Sequence, residues 1–374
     1  MRTMLFGAAA ATATLVAVTA TMPADATGAP HQGQKAPIYK TVADGLHGPR
    51  QLTFSHGDLY VAEAGQGGDG TCIVGGEGPS CYGRTGSVTR VRDGKQKRVL
   101  KRLASLSNQG THGSPIGPSD LTVIGKNKLV LSMGLGGAPS ERKKLSKFAG
   151  KQLGHLLSFN LRTKKFTSVG DLAKHEAKAN PVNEPNSDPT GIAKAGKAGW
   201  MVTDSGGNDL VSAKNGRVKT VAPFFNRMGT SPVTGPDPVP YESVPTDVVK
   251  GPDGAFYVSE LTGFPFIPGA SRIWRVVPGH TPTVWATGLT NVTGLAFNGK
   301  KLYAVQIADL GLTDAGGPIG SLRRVFPDAS GKASKVIAGG LFAPYGVAFR
   351  HGAAFVSIGA VLPTGGSVIK VPLG

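Results

Sequence analysis

The sequence predicts an all-β fold, a six-bladed β-propeller, from three observations. The first is a phrase best seen in residues 244–278. Pro245-Thr246-Asp247-Val248 opens a β-branched run, Gly251-Pro252-Asp253-Gly254 is a tight-turn signal, and Ala255-Phe256-Tyr257-Val258-Ser259 is a second run of strand formers. Residues 271–276 and 283–286 supply a third and a fourth strand, and four antiparallel strands in about 40 to 45 residues is the size of one propeller blade. The second observation is recurrence of this phrase along the chain, which points to radial repetition around a channel. The third is a stray strand: residues 38–46 belong to no blade of their own, and they resemble the fourth strands at 282–289 and 334–341. The last blade lacks a fourth strand, so this segment is expected to complete it and leave no open sheet edge.

Taken in order, the blades are predicted at residues 49–104, 118–173, 189–225, 245–289, 292–341 and 344–372, the last completed by 37–46. Their openings are Pro49-Arg50-Gln51-Leu52, Pro118-Ser119-Asp120-Leu121, Pro189-Thr190-Gly191-Ile192, Pro245-Thr246-Asp247-Val248, Val292-Thr293-Gly294-Leu295 and Pro344-Tyr345-Gly346-Val347. The second strands end at Glu63, Met133, Asp204, Glu260, Gln306 and Ile358. The 55 Gly and 27 Pro suit a chain with many tight connections. One domain is expected over residues 27–374. Residues 1–26, with a basic start, an apolar run and Ala24-Asp25-Ala26, read as a signal peptide, so a secreted, extracellular location is expected. Cys72 and Cys81 are then expected to form a disulfide across a Gly-rich loop.

Loop lengths differ by face. First-to-second and third-to-fourth strand turns are short, whereas the second-to-third loops and the loops between blades are long. Strand alternation puts both long classes on one face, so that elaborated face is where function is expected. It also collects polar strand ends. Glu63, Asp204 and Glu260 form one column with Gln306 as its fourth member, and Asp120 and Asp247 enter from the same side. Such carboxylates either cap backbone amides and tie blades together, or Asp120, Asp204, Asp247 and Glu260 jointly hold a hard cation, most naturally Ca²⁺. Asp204-Ser205-Gly206-Gly207-Asn208-Asp209 reads as an extension of such a site or as a polar turn.

The net charge of +18 is concentrated in residues 90–102 and 142–151. On outer strands such charge guards against edge pairing, and it also suits contact with anionic cell-wall polymers or lipid headgroups. No aromatic-studded basic platform is present, so nucleic acid is not an expected partner; the protein is expected to be a monomer. Residues 140–150 predict a short basic helix capped by Ser140, with Leu145 and Phe148 packed down. A nucleophile elbow and a His-Glu-x-x-His motif are both missing, so no catalytic set emerges.

Glu260-Leu261-Thr262-Gly263-Phe264-Pro265-Phe266, with Gly269-Ala270-Ser271-Arg272-Ile273 and Arg275-Val276-Val277-Pro278-Gly279, resembles the signature blade of the ScyD/ScyE family of secreted propellers. Residues 204–210 and the Pro-x-Gly openings match that family as well. The resemblance covers the mature chain and implies a propeller fold and a secreted location, with no settled reaction; the strand pairs by themselves resemble NHL-like and gluconolactonase-like propellers in general. Met133 and Ile358 stand in the polar column where cation-binding relatives place acids. From this the expected function is a binding or scaffold propeller presenting its elaborated face to an extracellular ligand through Glu63, Asp204, Glu260, Gln306, Phe264 and Phe266. The alternative is a cation-dependent hydrolase or lyase of the lactonase type using channel carboxylates.

Overall fold

The computed structural model describes residues 39–181, 185–231 and 233–373. The expected signal peptide and the first residues of the closing segment lie outside this range. Six antiparallel sheets follow the predicted order. Blade one is built from Pro49–Ser55, Asp58–Glu63, Gly78–Arg92 and Lys95–Asn108. Blade two takes Pro118–Ile124, Lys128–Met133, His155–Asn160 and Phe166–Asp171. Blade three takes Pro189–Lys194, Trp200–Asp204, Asp209–Lys214 and Arg217–Pro223. Blade four follows with Pro245–Lys250, Phe256–Glu260, Ser271–Val276 and Thr283–Leu289. Blade five has Val292–Asn298, Lys301–Gln306, Ile319–Val325 and Lys335–Phe342. Blade six has Val347–Arg350, Ala353–Ile358 and Gly366–Pro372. Lys40–Leu46 completes it, pairing Lys40 with Lys370 and Leu46 with Gly366, so the predicted closure is what the structure has.

The first strands meet in a ring, each beside the next, with Val347–Arg350 returning to Pro49–Ser55. The core is correspondingly divided into the seams between blades. Side chains alternate along a strand, so Tyr257 turns to the seam with blade five while its neighbours Phe256 and Val258 turn to the seam with blade three. The same division holds at the closing seam, where Ala43 and Leu46 pack with Leu52, Leu59 and Val61.

Several elements depart from the sequence reading. The helix expected over residues 140–150 is broken into a 3-10 turn, Glu141–Lys144, and one α-turn, Lys147–Gly150, capped by Ser146 and not Ser140. The break falls at Leu145, which is extended and buried. Arg142 holds the first turn in place by reaching Asp171 at 2.7 Å, and Glu141 holds it from the other side by accepting from the Val74 amide. A helix that the sequence reading left as loop, Leu172–Ala179, follows blade two, its N-cap Asp171 accepting from the Lys174 amide at 2.9 Å. The loop before blade four folds into a hairpin, Arg227–Ser231 with Gly235–Tyr241. The long loop of blade one holds an added strand, Cys72–Gly75, where Cys72 and Cys81 face each other in register and form the expected disulfide.

Candidate functional site

The polar column at the ends of the second strands does one structural job in four blades. Each member accepts a hydrogen bond from the loop leading into its own blade: Glu63 from the His47 amide, Asp204 from the Asp188 amide, Glu260 from the Ser243 hydroxyl and Gln306 from the Thr290 amide, at 2.6–3.0 Å. The column therefore fastens the loop that enters each member's own blade, where the capping alternative expected amides of the next blade. Its members differ in what neutralises them. Glu63 is gripped by Arg98 at 2.7 Å, and although burial pushes its carboxyl up, Arg98, Thr89 and the His47 amide outweigh this and hold it below the usual range. Glu260 is gripped by Arg227 at 2.7 Å and also accepts from Trp274 Nε1. Gln306 is neutral. Asp204 takes hydroxyl and amide donors, among them Ser187, Asp188 and Gly207, and has no ion pair among the described residues.

Asp120 and Asp247 lie elsewhere. They occupy the third position of the blade openings, where the six residues in turn are Gln51, Asp120, Gly191, Asp247, Gly294 and Gly346. Each aspartate accepts its own strand's next amide and one from a following blade: Asp120 from Leu121 and Ile192, Asp247 from Val248 and Leu295. Gln51 Nε2 adds a bond to Asp247 at 3.1 Å. Side chains and glycines share the space: a Cβ on Gly191 would meet Asp247 Oδ1 at 2.6 Å, and one on Gly346 would meet Gln51 Oε1 at 2.5 Å. Burial, then the facing Asp247, pushes Asp120 well up, and burial pushes Asp247 up to about 7. The four residues expected to share one cation thus divide among three environments: a channel pair, an arginine-paired Glu260, and Asp204 in blade three.

Asp204 has acidic company that the sequence reading did not assemble. Glu176, on the helix after blade two, and Asp209, paired in register with Asp204, are both buried beside it. Burial, then Asp204, pushes Glu176 up to about 7, and burial, then Glu176 and Asp204, pushes Asp209 well up. Finding this group from sequence required recognising the helix: an Asp cap before a Leu, Ala, Lys and Glu run was the available signal.

A cleft of about 800 Å³ opens between blades one and two. Arg90, Arg92, Lys97, Arg98, Lys101, Lys126 and Lys164 surround it, over a floor that includes Leu100, Leu103 and Phe159. Asp58 answers part of this charge, accepting from Arg92 at 2.6 Å with Arg90 3.8 Å away. Arg90 Nε is buried with no hydrogen-bond partner. The Lys164 amine is pushed down by burial and by the neighbouring cations Lys97 and Arg90. Turns of the short class line the cleft, at His56, at Gly125, Lys126 and Asn127, and at Lys164. It therefore belongs to the plain face, opposite the one loop length had pointed to.

On the elaborated face, Phe264 is 59% exposed and Phe266 is half-buried, their rings 6.3 Å apart edge to face. Met228 at 62% and Leu310 at 68% exposure stand on the flanking segments. These adjoin the Phe264 loop through Gly229 against Ile267 and Gly311 against Phe266. Among the described residues no helix is long and apolar enough to cross a membrane.

No protein-family model matches the sequence, and no curated protein matches it significantly. Solved structures are similar at low identity. A glucose dehydrogenase has 13% identity and a TM-score of 0.49, covering 90% of this chain and 100% of that one. Virginiamycin B lyase from Staphylococcus aureus has 11% identity and a TM-score of 0.45, covering 87% and 98%. The PQQ-bound aldose sugar dehydrogenase from Streptomyces coelicolor has 15% identity and a TM-score of 0.41, covering 68% and 78%. The blade count and closure of this chain rest on its own strand pairing.

Proposed function

We propose that the protein is a secreted binding propeller that takes an anionic ligand, a cell-wall polymer or a lipid headgroup, into the cleft between blades one and two. The observation that carries this reading is the cluster of Lys and Arg residues, Arg90, Arg92, Lys97, Lys101, Lys126 and Lys164, around an apolar floor; Arg98, which also lines the cleft, has its guanidinium on Glu63. A concave site with converging charge is where a ligand gains most from being desolvated, and clustered cations raise the local concentration of anions. The secreted location rests on residues 1–26 and agrees with the Cys72–Cys81 disulfide. The resemblance to the ScyD/ScyE family belongs to the same reading.

The test is binding of the purified protein to a poly(glycerol phosphate) chain and, separately, to vesicles with and without an anionic lipid. Both are measured from low to physiological salt. Binding that falls steeply with salt and is lost in Lys97→Glu/Lys126→Glu supports the proposal, and the two arms tell polymer from headgroup. Binding to neither, or binding untouched by the double charge reversal, overturns it.

A second reading is favoured by Met228, Phe264 and Leu310, which stand exposed around one loop and suit a partner with an apolar surface. Phe264→Ser/Leu310→Ser would weaken retention at the producing cell's surface under this reading, and leave it unchanged under the first. A cation-dependent hydrolase or lyase has less support, because all four carboxylate oxygens of Asp120 and Asp247 already accept hydrogen bonds from the protein.

A further inference from the structure

The helix Leu172–Ala179 lies against blade three and delivers two side chains to it, His175 and Glu176. Asp209 begins the third strand of that blade. One ligand atom from each of these three residues lies within 4.8 Å of the others. Glu176 is 1% exposed and Asp209 0%, and each has one buried oxygen, Glu176 Oε1 and Asp209 Oδ1, with no hydrogen-bond partner. Their other oxygens are used: Glu176 Oε2 accepts from Asn180 at 2.6 Å, and Asp209 Oδ2 from Thr220 Oγ1 at 3.2 Å. No ion pair among the described residues involves Glu176, Asp204 or Asp209. Buried carboxylates left without a cation are costly. The backbone makes room for them: a Cβ on Gly207 would lie 2.7–2.9 Å from the Glu176 carboxylate.

The tautomer of His175 is set by its neighbour. Thr220 Oγ1 has a single proton and donates it to Asp209 Oδ2, so it accepts from His175 Nε2, 2.8 Å away. The ring proton is then on Nε2 and the lone pair on Nδ1. A ligating histidine held by a hydrogen bond from its other nitrogen is the usual arrangement around metals.

We propose that His175, Glu176 and Asp209 form a site for Zn²⁺ or a similar first-row divalent ion, with Thr220 orienting both His175 and Asp209. One nitrogen and two carboxylate oxygens leave a fourth position for water, which suits zinc. An imidazole in the set disfavours Ca²⁺ and Mg²⁺, which take oxygen ligands. His175 is half-buried and gives the ion a path from solvent. The site lies in blade three, apart from the basic cleft, and stands independently of the proposed anion binding.

The experiment is calorimetric titration of the chelator-stripped protein with Zn²⁺, with Ca²⁺ as competitor, and an absorption spectrum of the Co²⁺ form. One Zn²⁺ per chain is expected, unaffected by tenfold Ca²⁺. Affinity should be at least about tenfold weaker in His175→Ala and in Asp209→Asn, and Co²⁺ should give intense low-symmetry bands that disappear in His175→Ala. A thermal melt of each variant establishes that it is folded; His175→Ala, which removes a half-exposed group, decides the question if Asp209→Asn is not. Absence of saturable Zn²⁺ binding, equal competition by Ca²⁺, or binding and spectrum unchanged in His175→Ala would overturn the proposal.

Discussion

Arg227 and Glu260 form a two-pronged ion pair, Nη1 to Oε1 at 2.7 Å and Nη2 to Oε2 at 2.8 Å, which fastens the hairpin before blade four to the end of that blade's second strand. The Glu260 side chain is completely buried and that of Arg227 is 15% exposed. Removing only the arginine leaves a buried carboxylate with hydroxyl, indole and amide donors. Arg227→Met is therefore expected to destabilise the fold by about 3–5 kcal/mol, and Arg227→Met/Glu260→Gln by clearly less. Denaturant melts of the three proteins measure this; equal losses would mean the pair's charge is unimportant.

Closure gives the second prediction. A chain beginning at Gly48 leaves Gly366–Pro372 without its outer neighbour and uncovers the seam packed by Ala43 and Leu46. Its melting temperature is expected to fall by at least roughly 10 °C. A melt within a few degrees of the intact protein would contradict the role given to Lys40–Leu46.

The channel's tight packing gives the third. Gly191→Ala places a methyl 2.5 Å from Asp247 Cα and is expected to cost about 1–3 kcal/mol. Gly76→Ala, with nothing within 4 Å and no positive φ, is the matched control and should be near neutral. Urea midpoints of the two variants compare them directly.

The buried acids make stability depend on pH. Burial, then Asp204, pushes Asp188 up to about 7, and burial pushes Asp247 up to about 7, against about 3.9 in an unfolded chain. The folded state then holds protons that the unfolded chain has lost. This contribution is complete below pH 4 and disappears as pH rises through about 7. His47 and His175, lowered chiefly by burial, act in the opposite sense over part of that window. The informative quantity is therefore a difference: melting temperatures of wild type and Asp247→Asn, measured in chelator from pH 5 to 8, should converge on each other or cross as pH rises. A constant gap would show that Asp247 does not bind a proton in the fold.

The blades were legible because their signals are local. Turn residues and alternating strand formers repeat within each unit, and the match of residues 38–46 to other fourth strands placed the closing segment. The partners of the polar column were not legible, because Arg98 comes from an outer strand and Arg227 from a hairpin hidden in what read as a loop. Glu63, Asp204 and Glu260 look alike in sequence and differ only in whether a guanidinium arrives. The basic cleft was visible as a charge run at residues 90–102, but its shape needed blade two to stand beside blade one, bringing Lys126 and Lys164 across. His175 and Glu176 lay in a stretch taken for loop, so their meeting with Asp209 depended on an element that was not foreseen.

The pairing of Lys40 with Lys370 also sets an order of events. The first strand of the ring in chain order waits for Gly366–Pro372, and every other blade has all its strands to hand before the sixth does. A chain without Gly366–Pro372 has no partner strand for Lys40–Leu46 and cannot close the ring at this seam. Contacts so distant along a chain form slowly. The final step in folding is therefore expected to be a ring-closing one, sensitive to anything that occupies either free edge meanwhile.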